Sequence, residues 1–347
     1  MNSQIEEVKK LLSAPKDIVL TSHRNPDGDA MGSSLALQLY LNELGHNTKV
    51  AFPSEYPEFV GWMPGSKEIL VHDLNPELVN QALEDADIIF ILDYNGLDRV
   101  DKMGEVIAAQ AKPVKIMIDH HLYPDDCVDY MFSDPKASST CEMVYHFIVG
   151  LGDAEKVSVA LGECLYSGIL TDTGSFKYST SSSLFRVVAD LKDLGVDDVK
   201  LQNLLFNSLP IKNLRLLGHC LNNRMEILEE YNTGIITLTK KDYEVYDIQR
   251  GDTEGIVNYL LMMKEVKLAA FITEQPTIVK ISLRSKGDFS VQEIAKQHFR
   301  GGGHKNASGG ASFKNLRATV KKFKEILPLY KKELTGVEMD SELVKEV

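Results

Sequence analysis

A chain of 347 residues suits about two domains of roughly 150 residues each. With 44% hydrophobic and 25% charged residues, it is not a disordered polymer. Its 38 Lys and Arg against 50 Asp and Glu, a net charge of −12, argue against a protein that coats long duplex nucleic acid or an anionic membrane by bulk attraction. That charge remains compatible with acidic residues gathered around cations, and with a small phosphorylated substrate in a locally basic pocket. The first residues, MNSQIEEVKKLL, lack the apolar centre of a signal peptide. Apolar runs such as Ile88–Leu92 fall far short of the ~20 residues of a membrane helix, so a cytoplasmic protein is expected. Cys127, Cys141, Cys164 and Cys220 form no C-x-x-C clip and read as reduced thiols.

In chain order, Asp17–Ser22 is a short apolar run that ends in a polar loop. Met31–Leu44 has apolar residues at helical spacing, with Gly45 as its stop. Thr48–Phe52, Asp87–Leu92 and Val114–Ile118 are further strand-like runs. Short strands alternating with helical stretches predict βαβ units and a parallel sheet flanked by helices. Helical patterns follow over Ser139–Gly150 and Lys156–Leu170, then a loop over Thr171–Thr180, then helices over Ser182–Leu194 and Val199–Phe206. The Asn207–Asn213 stretch with Pro210 marks a boundary. Beyond it, Thr233–Thr239 and Thr277–Leu283 read as strands. Helices are expected near Thr253–Lys264 and Ser290–Gln297, and over Ala318–Leu327, where Pro328 ends or kinks the last. The domain division is therefore 1–185, a helical linker over 186–213, a smaller α/β domain over 214–335 and a tail over 336–347.

Ligands on a parallel sheet gather beyond the carboxyl ends of its strands. Three predicted strands run straight into acidic or histidine-bearing residues: His23 to Asp29, Asp93, and Asp119-His120-His121. In the first, Pro26 and Gly28 fold the loop so that one imidazole and two carboxylates, Asp27 and Asp29, can converge. Singly, a P-D-G segment is ordinary turn chemistry, and Asp93 or Asp172 could cap a helix. Together they place five carboxylates and two or three histidines on one sheet edge. That many anions repel unless cations compensate them. Two divalent ions bridged by a carboxylate form a recurrent phosphoester-hydrolysis site. Oxygen ligands suit Mg²⁺ or Ca²⁺, and imidazole shifts the expectation toward Mn²⁺ or another transition ion. Elsewhere, His72, His146, His219 and His298 have no such partners and read as structural, as do Tyr56 and Trp62. Ser138-Ser139-Thr140 before Glu142 reads as a helix cap.

The ordered set H-x-x-P-D-G-D-A-x-G-S, a strand-end Asp, D-H-H, T-D-T-G and a distant G-G-G-H resembles the DHH phosphoesterase superfamily with its DHH-associated C-terminal domain, over residues 15 to about 315. The length is similar to that of its stand-alone nanoRNase/pAp phosphatase branch, where pAp is 3′-phosphoadenosine 5′-phosphate. The resemblance implies one metal held by His23, Asp27 and Asp93, and a second by Asp29, Asp93, His120 and Asp172. Asp119 would then orient an imidazole, and His121 would donate to a phosphate oxygen or the nucleophile. Spacing alone does not decide which of His120 and His121 is the ligand. In the C-terminal half, Ser282-Leu283-Arg284-Ser285 and Gly301-Gly302-Gly303-His304 match the family's substrate-binding elements. Arg284, Ser285, Gly302, Gly303 and His304 are the implied contacts. Arg300 stands where relatives commonly have a fourth glycine and adds a cation.

The implied activity is metal-assisted in-line hydrolysis with two divalent ions, Mn²⁺ first and Mg²⁺ or Co²⁺ as alternatives. Very short oligoribonucleotides cut to 5′-mononucleotides are the expected substrates, with pAp as a second. The alternative is a phosphodiesterase of linear or cyclic dinucleotides in second-messenger turnover. A nucleotide sensor without turnover would have no need of the full ligand set. No long duplex or membrane is expected as a partner, and a homodimer is left open.

Overall fold

The computed structural model describes residues 2–207, 210–249 and 251–336. The expected tail beyond residue 336, and residues 208–209 of the expected boundary, lie outside these. The chain divides into two compact units, Met1–Ser208 and Leu209–Val347.

The first unit is built on six parallel strands in the order β3-β2-β1-β4-β5-β6. They are β1 (Asp17–Thr21), β2 (Asn47–Phe52), β3 (Leu70–Val71), β4 (Ile88–Leu92), β5 (Val114–Asp119) and β6 (Tyr130–Ser133). β4 consists of Ile, Phe and Leu alone and is buried at every residue, as a central strand covered on both faces requires. Strand order reverses where β1 meets β4, and the crevice of such a sheet opens at the carboxyl ends of that pair. Helices α1 (Asn2–Leu11), α2 (Gly28–Glu43), α3 (Pro76–Asp85), α4 (Lys102–Ala109), α5 (Thr140–Gly150), α6 (Val159–Asp172), α7 (Ser182–Asp193) and α8 (Asp198–Phe206) complete this unit.

Helix α2 is buried along nearly its whole length, because α6 and α5 lie directly against it. A Cβ on Gly32 would fall 2.5 Å from the Cys164 carbonyl, and one on Gly168 2.3 Å from Cys141 Sγ. Glycine at both positions lets the backbones approach this closely. Helix α6 starts at Val159, later than the pattern predicts, because the Ser158 hydroxyl accepts from Leu161 N–H as an N-cap. It continues to Asp172, so that residue closes a helix where a loop was expected.

The second unit is a mixed sheet in the order β11-β12-β10-β9-β8-β7. Its strands are β7 (Met225–Leu228), β8 (Thr233–Leu238), β9 (Leu268–Glu274), β10 (Val279–Ser285), β11 (Gly302–His304) and β12 (Ala307–Ser312). The helices α9 (Ile211–Asn223), α10 (Lys240–Val245), α11 (Ile256–Leu261), α12 (Val291–His298), α13 (Leu316–Ile326) and α14 (Lys331–Thr335) accompany it. The alanine-rich β9 is weak in local strand signal, yet pairing with β8 and β10 on its two sides makes it a strand. No helix among the described residues is long and apolar enough to cross a membrane. The four cysteines carry no disulfide.

Candidate functional site

The loop after β1 is anchored before it reaches its acidic residues. The Arg24 guanidinium lies 2.7 Å from both Asp73 and Asp101, and the Arg24 backbone N–H donates to the Arg99 carbonyl. Asn25 takes the left-handed conformation and donates to Ser54 Oγ. Asp27 then caps α2, with Oδ1 accepting from the N–H groups of Asp29 and Ala30 at 3.0 and 3.1 Å. Its other oxygen is left facing His23 Nε2 at 3.9 Å. His23 Nδ1 sits 2.9 Å from the Arg24 carbonyl. A proton on Nδ1 satisfies that carbonyl and leaves the Nε2 lone pair for a cation.

Asp93 directly follows β4 and has φ +63, a strained conformation for a side-chain-bearing residue. Its N–H is held by the Ile118 carbonyl of β5, which turns its carboxylate into the crevice. Asp93 Oδ2 lies 3.4 Å from His23 Nε2, while Oδ1 lies 3.5 Å from His120 Nε2. His120 Nε2 is also 3.2 Å from Asp172 Oδ2 and 3.8 Å from Asp29 Oδ2. Asp29 is fully buried, and its oxygens accept from the N–H groups of Thr140 and Cys141 at 2.6 and 2.9 Å. The neighbouring imidazole is held differently. His121 Nδ1 is 2.7 Å from Asp119 Oδ1, and the His121 backbone N–H donates to Asp119 Oδ2. Asn95 stitches the β4 loop to this one by donating to the Leu122 carbonyl.

Two donor groups thus share Asp93: His23, Asp27 and Asp93 on one side, and Asp29, His120 and Asp172 around its other oxygen. The donor atoms within each trio lie within 4.8 Å of one another. Oxygen and nitrogen ligands roughly 2.1 Å from one ion are themselves about 3–3.5 Å apart, so the spacing and chemistry of the donors fit divalent cations. The electrostatics point the same way. Burial opposes charge on His120, but Asp172 and Asp93 outweigh it and hold its pKa well above the ordinary value. Burial likewise opposes charge on His23, whose pKa is nonetheless raised by Asp93 and Asp27. Burial and the nearby carboxylates of Asp93 and Asp172 push Asp29 well up. Asp93 resists its own burial through His120 and His23 and stays well below the usual range. Protons here occupy positions that a cation would take.

In the second unit the Gly301-Gly302-Gly303-His304 segment runs into a strand hairpin, β11 with β12. Gly302 pairs with Gly309 and His304 with Ala307, while Arg284 of β10 pairs with Ala307 from the other side. Arg284, Ala307 and His304 form one cross-strand row, so their side chains share a sheet face. Two strand spacings, about 9.6 Å, separate the outer pair, and alanine leaves the space between them open. A Cβ on Gly301 would fall 1.9 Å from the Gly309 carbonyl, and Gly303 has φ +134. Arg300 occupies the left-handed region at φ +47, where glycine is at ease, and its guanidinium lies 5.3 Å from the centre of the Phe313 ring. Ser285 is committed to the hairpin itself: its hydroxyl donates to the Phe289 carbonyl and accepts from Asn306 Nδ2.

The histidines set aside from the sequence have other partners. His72 faces Asn80, His219 Asp242, and His298 the Tyr330 hydroxyl. The sequence reading missed Thr140. Beyond starting α5, its hydroxyl donates to Asp93 Oδ1 at 3.0 Å, a contact across 47 positions that a local capping pattern does not reveal.

Residues 17–169 match the model of the DHH family, N-terminal domain, and residues 236–334 that of the DHHA1 domain. The chain is 28% identical over 334 residues to a protein from Thermus thermophilus named bifunctional oligoribonuclease and PAP phosphatase NrnA. That match covers 95% of this chain and 94% of the relative. It is 25% identical to a cyclic-di-AMP phosphodiesterase, GdpP, from Bacillus subtilis, covering 93% of this chain and 49% of that protein. Among solved structures, an exopolyphosphatase-related protein from Bacteroides fragilis superposes with a TM-score of 0.91 at 39% identity, covering 96% of this chain and 98% of that one.

Proposed function

The protein belongs to the DHH family, with a DHHA1 domain in its second half, and from that premise we propose that it hydrolyses phosphoester bonds in very short oligoribonucleotides and in pAp, releasing 5′-mononucleotides. The observation that carries this reading is the division of Asp93, one oxygen toward His23 and the other toward His120. A carboxylate shared in this way suits two ions set close together. In this reading His23, Asp27 and Asp93 hold one divalent ion, and Asp29, Asp93, His120 and Asp172 the other. The mixed imidazole and carboxylate set favours Mn²⁺, with Mg²⁺ or Co²⁺ able to substitute. Such ions supply the charge that activates water and offsets the build-up on phosphoryl oxygens.

The chain's own residues do the rest. Asp119 pins His121 through Nδ1, so His121 can present a proton at Nε2 to a phosphoryl oxygen or to the attacking water. Arg284 offers a planar fork and His304 a further donor from the same sheet face, with the hairpin glycines allowing close backbone approach to a phosphate. These few cations fit a substrate with one or two phosphates. The similarity to the T. thermophilus relative along nearly the full length of both chains favours oligoribonucleotide and pAp substrates. The similarity to GdpP supports a second reading, in which the substrate is a linear or cyclic dinucleotide messenger.

A panel of pAp, linear dinucleotides and cyclic dinucleotides, compared by kcat/KM with Mn²⁺, separates the two readings. Preference for linear RNA dinucleotides and pAp is expected. A cyclic dinucleotide as the best substrate would transfer the assignment to the second reading, and no release of mononucleotide from any of them would remove both.

A further inference from the structure

The short segment Ala137–Cys141, which leads into α5, touches three of the candidate ligands, each from a different element. The Ala137 carbonyl faces His120 Nδ1 at 3.4 Å. The N–H groups of Thr140 and Cys141 hold the two oxygens of Asp29, and the Thr140 hydroxyl donates to Asp93 Oδ1 at 3.0 Å. Thr140 and Asp29 are fully buried, and Asp93 and His120 nearly so. Water therefore has little access with which to replace these bonds if one is removed.

The segment is itself rigidly held. Ser139 caps α5 by accepting from Glu142 N–H, and Glu142 Oε2 accepts in return from Ser138 N–H. The close approach at Gly168 fixes Cys141 Sγ against α6. All these contacts fall on one side of the site. Asp93 Oδ1, the oxygen that Thr140 holds, is the one beside His120. Asp93 Oδ2 faces His23, and among the described residues no hydrogen bond from the segment reaches His23 or Asp27.

We infer that Thr140 is a positioning residue for one metal ion of the pair, the one served by Asp29, Asp93, His120 and Asp172, and not for the ion served by His23 and Asp27. The inference rests on the two-cation reading above. A hydroxyl has one proton to donate. Given to Oδ1, it fixes the plane of the Asp93 carboxylate while the backbone of the same residue fixes Asp29. Two candidate ligands, one just after β4 and one in α2, are thereby set against each other by a single residue, through its hydroxyl and its backbone N–H.

Thr140→Val isolates the hydroxyl, because it keeps the branched shape and the N–H that holds Asp29. The test is a calorimetric Mn²⁺ titration of the full chain after removal of bound metal, with circular dichroism as the check on folding. The native chain is expected to show two classes of site. Thr140→Val should weaken one class by about tenfold or more, in the range found when groups supporting metal ligands are removed, and leave the other within about twofold. Thr140→Ser should restore both, and His23→Ala should weaken the class that Thr140→Val spares. If Thr140→Val folds poorly, Thr140→Ala removes the same hydroxyl without demanding space. Two native classes that are unchanged, or weakened alike, in the hydroxyl-free variant would overturn the inference alone. Fewer than two ions on the native chain would overturn the two-cation reading, and this inference with it.

Discussion

The two units of this protein handle charge in opposite ways. Residues 1–208 carry 16 Lys and Arg against 32 Asp and Glu, while residues 209–347 carry 22 against 18. In the first unit Asp27, Asp29, Asp93 and Asp119 stand at the carboxyl ends of β1, β4 and β5 and Asp172 at the end of α6, so that five carboxylates face His23, His120 and His121. In the second, the features around the hairpin are an arginine, a histidine and exposed backbone. The first arrangement suits cations, and in the proposed reading the second suits anions. Net charge over the whole chain conceals this division, because a phosphate ester needs cations at its reacting phosphorus and donors at its far end.

The largest effect should come from the residue shared by both donor groups. Asp93→Ala is expected to abolish nearly all hydrolysis and to remove most bound metal, with the circular dichroism spectrum retained. Near-normal turnover in Mn²⁺ would break the cation side of the comparison. Next is the response to pH in the absence of metal. His23 and His120 have raised pKa values in the folded chain, so the stability they contribute is fully present below about 6.5, the unfolded value of histidine, and is lost as pH rises through the folded values. Asp93, held low, contributes above the unfolded carboxylate value and loses that only on acidification. With chelator present, Tm should therefore fall from pH 6.5 to 9, while with Mn²⁺ it should hold or rise, because the cation displaces the same protons. A metal-free Tm that climbs with alkalinity would show that the cluster is not poised in this way.

The anion side is sharpened by smaller changes. Arg284→Ala and His304→Ala should each weaken transition-state binding of nucleotide substrates by ~1–3 kcal/mol, as for lost charge-assisted hydrogen bonds, with metal content unchanged. Loss of metal in either variant would merge the two roles that the comparison keeps apart. The smallest effect expected is that of salt. Arg284, Arg300, His304 and Lys305 are few and clustered, so the salt dependence of KM should correspond to about one or two neutralised phosphates. In a length series of 5′-labelled RNA, kcat/KM should fall from dinucleotides through pentanucleotides to 20-mers. Equal cleavage of the 20-mer with a steep salt slope would point to a long-chain nuclease.

Much of this organisation was legible along the chain. Ile88–Leu92 reads as a buried strand by composition alone, and the residue after it must stand at the sheet's edge, so residue order alone places Asp93 there. The same logic located His23 and the Asp119-His120-His121 triplet. The hairpin was harder to read, since consecutive glycines carry no strand signal and only pairing with β12 makes Gly302–His304 extended. The sequence marks Arg300 as standing where relatives commonly have glycine, and its left-handed backbone at φ +47 is the physical reason that glycine suits the position.

What the sequence determined by itself was the βα alternation, the strand ends that carry acid and imidazole, and the ordered motifs of the family, because these depend on local periodicity and on which residue follows a buried run. Tertiary structure alone decided how the candidate ligands are told apart. Asp29 is held by Thr140 across 111 positions, His120 lies among Asp29, Asp93 and Asp172, and the adjacent His121 is claimed by Asp119. The hold on Asp29 arises where α2, α5 and α6 press together at Gly32 and Gly168, and which oxygen of one carboxylate faces which imidazole leaves no trace in residue order.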